Sequence, residues 1–183
     1  MKNRILAIAA LFAFASAALV AGSRNPMAGG QEMFPTKNII QNAVNSADHT
    51  TLVAAVKAAG LVDTLEGPGP FTVFAPTNEA FAKLPAGTVD TLLKPENKAT
   101  LTKVLTYHVV PGRYTATSLD QAIKATPGGR VSLKTAEGEL LIVAESGNAL
   151  TITDQKGGTA RVTIPDVYQK NGVIMVIDKV LMP

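Results

Sequence analysis

The amino-acid sequence predicts a single α+β domain behind an export leader. Apolar residues recur at helical spacing mainly between residues 39 and 108, whereas from residue 107 onward short extended runs are separated by glycine-containing gaps. Helices and strands are thus segregated along the chain, which favours α+β over a wound α/β fold. After the leader about 160 residues remain, enough for one domain with a core that needs no crosslinks. The chain of 183 residues has no cysteine with which to make any.

Lys2 and Arg4 precede the apolar run ILAIAALFAF, and the small-residue stretch ASAALVAG follows it. A basic start, a short apolar segment and an A-x-A exit read as a secretory signal peptide over residues 1–21, cleaved after Ala17 or Ala21. The apolar stretch, about 15 residues, is shorter than the roughly 20 a membrane-spanning helix needs. The expected product is therefore secreted or periplasmic, with no integral membrane span once the leader is removed. The whole chain carries 17 basic and 14 acidic side chains, a net charge of +3. Loss of Lys2 and Arg4 leaves 15 against 14, or +1. Such a chain lacks the basic field of a nucleic-acid binder. Without cysteine it also lacks a lipid-anchor thiol, a thioether haem site, iron-sulfur ligands and thiolate zinc ligands.

Residues 22–35 are rich in Gly, Pro and polar side chains without a sustained period, which predicts a flexible arm or linker, or one lying along the domain. Met27 and Met33 are two unlinked thioethers, weak material for a soft-metal site. The domain proper is placed at residues 36–183. NIIQNAVN sets Ile39, Ile40, Ala43 and Val44 on one helical face, and TTLVAAVKAAG repeats the spacing with Leu52, Val53, Val56 and Ala59. Gly60 suits a helix C-terminus, and Asp48 to Thr51 offer N-caps. EGPGP breaks the chain. In FTVFAPTNEAFAKLP, Phe71, Val73 and Ala75 alternate as in a strand, Pro76 ends it, and Thr77 or Asn78 caps a short helix carrying Ala80, Phe81 and Leu84. TVDTLLKP is a further short helix. ENKATLTKVLTYH places Leu101, Val104, Leu105 and His108 on one apolar stripe.

HVV then ends at Pro111-Gly112, and SLDQAI allows a helical turn. RVSLKT, ELLIVAE, ALTITD and ARVTIPDVY follow, each after a glycine gap, as an antiparallel meander. Asn171-Gly172 suits a type I′ turn into the last strand, VIMVIDKVLM. That strand is apolar on both faces at its start and so reads as central in the sheet.

No catalytic constellation assembles. The chain lacks a G-x-S-x-G elbow, a phosphate loop and a G-x-G-x-x-G turn. The two prolines of GPGP remove N–H donors that a phosphate cradle requires. His49 and His108 are the only histidines, and they lie far apart without metal-ligand spacing. A carboxylate pair drawn from Asp63, Glu66, Glu79, Asp90, Asp120 and Asp166 stays open, with nothing to single one out. The residues point to a non-enzyme with no cofactor and no metal. His108 reads as a core histidine whose ring nitrogens find partners in a neighbouring segment.

Three stretches in order, FTVFAPTNEAF (71–81), LTYHVVPG (105–112) and NGVIMVIDKVLMP (171–183), resemble the signatures of the fasciclin domain family. The resemblance covers about residues 36–183. It implies a β-wedge or sandwich of antiparallel strands flanked by several short helices. Phe71, Ala75, Pro76, Thr77, Asn78, Phe81, Asn171 and Gly172 would be its structural motif. It also implies an exported adhesion module that contacts a protein or glycan at a cell surface or matrix. The family's recognition segments fall on Tyr107, His108, Pro165, Asp166 and Val167. The chain departs from the family pattern at Val167, where isoleucine is usual, and at Met175, where many members have histidine. The alternative the resemblance offers is a carrier of a small apolar ligand, a lipid or pigment. It further places the polar side chains of Thr77 and Asn78 near enough to satisfy His108.

Overall fold

The computed structural model describes residues 25–183, so the expected leader at 1–21 and the first residues of the arm lie outside the described residues. The helical part comprises α1 (Ile39–Ala43), α2 (Thr50–Ala59), α3 (Val62–Glu66), α4 (Asn78–Ala82), α5 (Thr88–Leu92), α6 (Lys98–Tyr107) and α7 (Ala116–Ala125). The strands are β1 (Phe71–Pro76), β2 (Val109–Pro111), β3 (Arg130–Lys134), β4 (Leu140–Ser146), β5 (Ala149–Thr153), β6 (Thr159–Gln169) and β7 (Gly172–Ile177). The α+β expectation holds. The expected sheet of mostly antiparallel strands flanked by short helices is present as one seven-stranded sheet in the order β2-β1-β7-β6-β5-β4-β3. Its two ends approach each other, since the Ala136 N–H beyond β3 donates to the Val109 carbonyl of β2 at 2.7 Å.

The meander from β3 to β6 is antiparallel throughout, and β7 returns antiparallel to β6. The exception is β1, which runs parallel to β7 over its whole length. Both β1 and β7 are central and buried on both faces, for a reason the side chains make plain. Val73, Ala75, Ile174 and Val176 enter one core shared with the helices, while Phe74, Met175 and Ile177 enter a second core inside the curled sheet. Alternation in β1 therefore separates two cores and not a core from solvent. Phe81 is buried and Phe71 is half-buried against the first core.

Local capping follows the sequence in part. Gly60 closes α2 in the left-handed region, φ 72°. Thr77 Oγ1 accepts from the Ala80 N–H at 3.2 Å and caps α4. Asn78 does something different: its Oδ1 accepts from the Thr51 N–H at 3.0 Å and its Nδ2 donates to the Ala47 carbonyl at 2.9 Å. The start of α2 is thus capped from a distant segment, not by residues 48–51. Val44 is exposed, and the buried partner of Ile39 and Ile40 in α1 is Asn42. SLDQAI is the middle of a ten-residue helix whose Thr115-Ser118 capping box was missed.

The arm lies on the domain. Ala28 and Met33 are buried and Met27 is exposed; the Asn25 and Asn42 amides fasten the segment, and a third amide, Asn171, holds the start of α1. Asn25 pairs with both backbone groups of Tyr168. Asn42 does the same with Phe34. Asn171 Oδ1 accepts from the Ile39 N–H, and its Nδ2 donates to the carbonyls of Leu65 and Gly67 at 2.7 and 2.8 Å. A side-chain amide has the donor and acceptor of a peptide group, so each satisfies backbone groups that the sheet and helices leave free.

Candidate functional site

Tyr107 and His108 end α6 and lead directly into β2. Both are buried, and every polar side-chain atom of the pair has a partner. The Tyr107 hydroxyl donates to the Leu140 carbonyl and accepts from the Gln155 N–H, each at 3.1 Å. Burial raises its pKa, with the Gln155 N–H opposing and the Asp154 charge adding to the rise. His108 Nδ1 lies 2.8 Å from the Val104 carbonyl and Nε2 lies 3.0 Å from the Leu181 N. Since a carbonyl only accepts and an N–H only donates, the ring is the neutral Nδ1–H tautomer. Burial pushes its pKa down to about 4.

This arrangement secures the chain's last residues. Leu181 hangs on His108, and the Met182 N–H donates to Asp154 Oδ2 at 3.1 Å. Asp154 is itself buried and its Oδ1 accepts from the Gly158 N–H at 2.6 Å, closing the turn before β6. His108 also touches the first motif, because its carbonyl accepts from the Phe74 N–H at 2.9 Å. The expected neighbourhood is therefore present, but the partners differ. Leu181 and Val104 satisfy the imidazole, whereas Thr77 and Asn78 are committed to α4 and α2. Asp154 and Leu181 were not singled out from the sequence. An Asp four residues before Gly158 does carry the signal of a side-chain-closed turn.

Pro165, Asp166 and Val167 sit in an irregular part of β6. Register against β7 slips between Val162 and Ile164 and again between Ile164 and Val167. Such bulges bend a strand and re-aim its side chains. Asp166 adopts φ 56°, the only described non-glycine residue with a positive φ, and Asp tolerates this region better than most residues. Its Oδ1 accepts from the Ala116 N–H at 2.7 Å, at the first turn of α7. An anion there complements the helix dipole and ties the bulge to the helix. Pro165 is exposed and Asp166 half-buried, while Val167 is fully inside. Of the five expected recognition positions, then, only Pro165 and Asp166 reach the surface. Tyr107, His108 and Val167 lie beneath.

Asn171 and Gly172 also differ from expectation. The hairpin between β6 and β7 is made by Lys170 and Asn171, and neither they nor Gly172 take the positive φ of a type I′ turn. Gly172 is required for closeness: a Cβ there would collide with the Phe71 backbone carbonyl of the parallel strand. Asn171 is required for its amide, as described above.

Among the described residues no group of three His, Cys, Asp or Glu side chains could hold a metal ion. Among them, too, no helix is long and apolar enough to cross a membrane. Asp120, one of the open carboxylates, pairs with Lys124 at 2.8 Å.

Residues 47–183 match the family model for the fasciclin domain. Protein sll1483 of Synechocystis is 47% identical over 146 residues, covering 79% of this chain and 73% of that protein. The immunogenic protein MPB70 of Mycobacterium bovis is 40% identical over 147 residues, covering 77% and 66%. The cell surface glycolipoprotein MPB83 of the same species is 32% identical over 167 residues, covering 88% and 68%. A solved structure of a domain pair from the insect cell adhesion molecule Fasciclin I superposes with a TM-score of 0.71 at 21% identity, over 80% of this chain and 51% of that one. That likeness speaks to the fold alone. The family match over most of the chain, with its signatures folded as one latch, settles the assignment: this chain belongs to the fasciclin domain family.

Proposed function

We propose that the chain is an exported, non-catalytic binding module that contacts a protein or glycan at a cell surface or matrix. Pro165 and Asp166 form the exposed part of its contact surface. The observation that carries this reading is the β6 bulge. It presents an exposed proline and a carboxylate on backbone held by the Ala116 N–H, so the surface is ordered before a partner arrives. The name of one similar protein, a cell surface glycolipoprotein, points to the same setting. Tyr107, His108 and Val167 support the surface from within.

The test is retention of envelope and matrix proteins or glycans on the immobilised chain, followed by binding measurements with Pro165→Ala and Asp166→Asn. Asparagine keeps an acceptor for the Ala116 N–H and removes the charge. Binding should weaken by about tenfold, the size of one charge-assisted hydrogen bond, while stability falls by no more than the about 0.3–1 kcal/mol of the lost charge–dipole interaction. A partner that binds both variants as well as the unaltered chain would move the contact surface elsewhere, and no retained partner would remove the adhesion reading.

Carriage of a lipid or pigment needs room. The described residues enclose an apolar cavity of about 90 Å³. That is less than the roughly 150 Å³ that holds benzene, so neither an acyl chain nor a pigment fits within it.

A further inference from the structure

The meander from β3 to β6 leaves one of its faces open to solvent. Alternation sends Leu133, Leu141, Val143, Ile152 and Val162 into the second core, so the residues between them point outward. Register fixes how these lie. Arg130, Ala144, Thr151 and Arg161 stand side by side in one row across the four strands. Ser132, Ile142, Thr153 and Thr159 form the next row, and Lys134 and Leu140 begin a third. Two small residues separate the arginines of the first row, whose backbones are about 14 Å apart at three strand spacings. Leu140 and Ile142 are exposed.

The charge on this face has one sign. Arg130, Lys134 and Arg161 are exposed, and among the described residues none of them joins an ion pair. The acids of the same stretch are turned elsewhere. Glu137 and Glu139 pair with Lys103, Asp154 is buried, and Glu145 lies toward Lys124 of α7. Hydroxyls fill most of the remaining outward positions, from Ser132 to Thr163. Beside Arg161 the face drops into a groove of about 580 Å³ whose walls include Asn148, Thr163, Pro165 and Asp178. Asp178 is held there through Oδ1, which accepts from the Arg161 N–H at 2.8 Å.

We propose that this face binds a linear anionic polysaccharide laid across the strands, its acidic groups on Arg130 and Arg161 and its hydroxyls on the threonines and the Asn148 groove. A guanidinium suits a carboxylate or a sulfate, because its fork of N–H donors meets two oxygens at once. A second copy of the chain is disfavoured, since like faces would set cation against cation. An acidic protein fits less well, because the face lacks the aromatic anchors on which protein interfaces concentrate their energy. A polymer offsets weak single contacts by repetition. This site goes beyond the Pro165–Asp166 contact and differs from it in the sign of its charge.

Retention of the whole chain on immobilised polygalacturonate tests this, with neutral dextran, polyglutamate and phosphatidylglycerol vesicles as comparators. Polygalacturonate should bind saturably at low salt and dextran should not. An ionic strength of about 1 M, where the Debye length is about 3 Å, should release the chain. Arg130→Gln and Arg161→Gln should each weaken binding about threefold, and together about tenfold. Both side chains are exposed, so the unfolding midpoint should not move. Lys94→Gln, which removes an exposed cation beyond α5, should leave binding unchanged. Asp166→Asn should not weaken it either, so this site and the Pro165–Asp166 contact fail separately. No binding of polygalacturonate would overturn this proposal and leave that contact standing. Polyglutamate bound as tightly would reassign the face to an acidic protein, and vesicles bound alone would reassign it to a lipid surface. Polysaccharide binding indifferent to both arginine substitutions would place the site elsewhere. Each of these results overturns the proposal.

Discussion

Acidification from pH 7 to pH 4 probes the His108 latch directly. The ring donates from Nδ1 to the Val104 carbonyl and accepts the Leu181 N–H at Nε2, so it can hold both bonds only while neutral. A second proton on Nε2 would face the Leu181 N–H, donor against donor. Burial, outweighing the upward pull of the Val104 backbone and the Asp154 charge, holds the pKa at about 4 against an ordinary 6.5. The unfolded chain therefore binds this proton near pH 6.5 and the folded chain only near pH 4. The contribution of the neutral ring is complete above pH 6.5 and disappears as the pH falls toward 4. At about 1.4 kcal/mol per unit of separation, the loss is about 3 kcal/mol, a large part of a typical domain's stability. His49, lowered by burial as well, changes in the same direction. The assay is urea unfolding at half-unit pH intervals for the unaltered chain and for His108→Gln, which keeps a donor and an acceptor without titrating. The unaltered chain should lose about 3 kcal/mol more than the variant between pH 7 and pH 4. Equal pH slopes, or an NMR titration placing His108 near 6.5 in the folded protein, would refute the reasoning.

Other perturbations give sizes that differ with mechanism. Asn171→Ala removes three hydrogen bonds and leaves the Ile39 N–H and the Leu65 and Gly67 carbonyls unpaired, a loss of about 3 kcal/mol by urea unfolding. Gly172→Ala drives a methyl into the Phe71 carbonyl and should destabilise by about 1–3 kcal/mol, whereas Gly87→Ala, at φ 80° but in open space, should cost less. Tyr107→Phe leaves the packing intact but strands the Leu140 carbonyl and the Gln155 N–H, a loss of about 1–2 kcal/mol visible as a lower thermal midpoint. Asn78→Ala should shift α2 more than α4, with amide exchange accelerating first at Thr51.

Local periodicity made the helices, the meander and the centrality of β7 legible in the sequence. It also placed His108 inside, because the stripe through Leu101, Val104 and Leu105 continues to it. What escaped were relations between distant segments. The parallel pairing of β1 with β7 leaves no mark in either strand beyond apolarity on both faces. The asparagines at 25, 42, 78 and 171 look like turn or cap residues, since a side-chain amide carries no sign of which backbone group it will satisfy. Asn171-Gly172 misled for the same reason. The dipeptide fits a tight turn, but here the amide spans helices and the glycine admits a neighbouring strand. At the candidate site the five recognition positions separated by burial, which depends on the β6 bulges and not on residue type.

The parallel pair at the centre of the sheet has a temporal consequence. β1 and β7 stand about a hundred residues apart in the chain, so the sheet's middle depends on its most non-local contact, the kind that slows folding. Until β7 is made and paired, β1 lacks one neighbour and β6 lacks its hairpin partner. The nascent domain therefore cannot complete itself before β7 has been made. A truncation before residue 172 should leave a protease-sensitive chain, not a smaller domain.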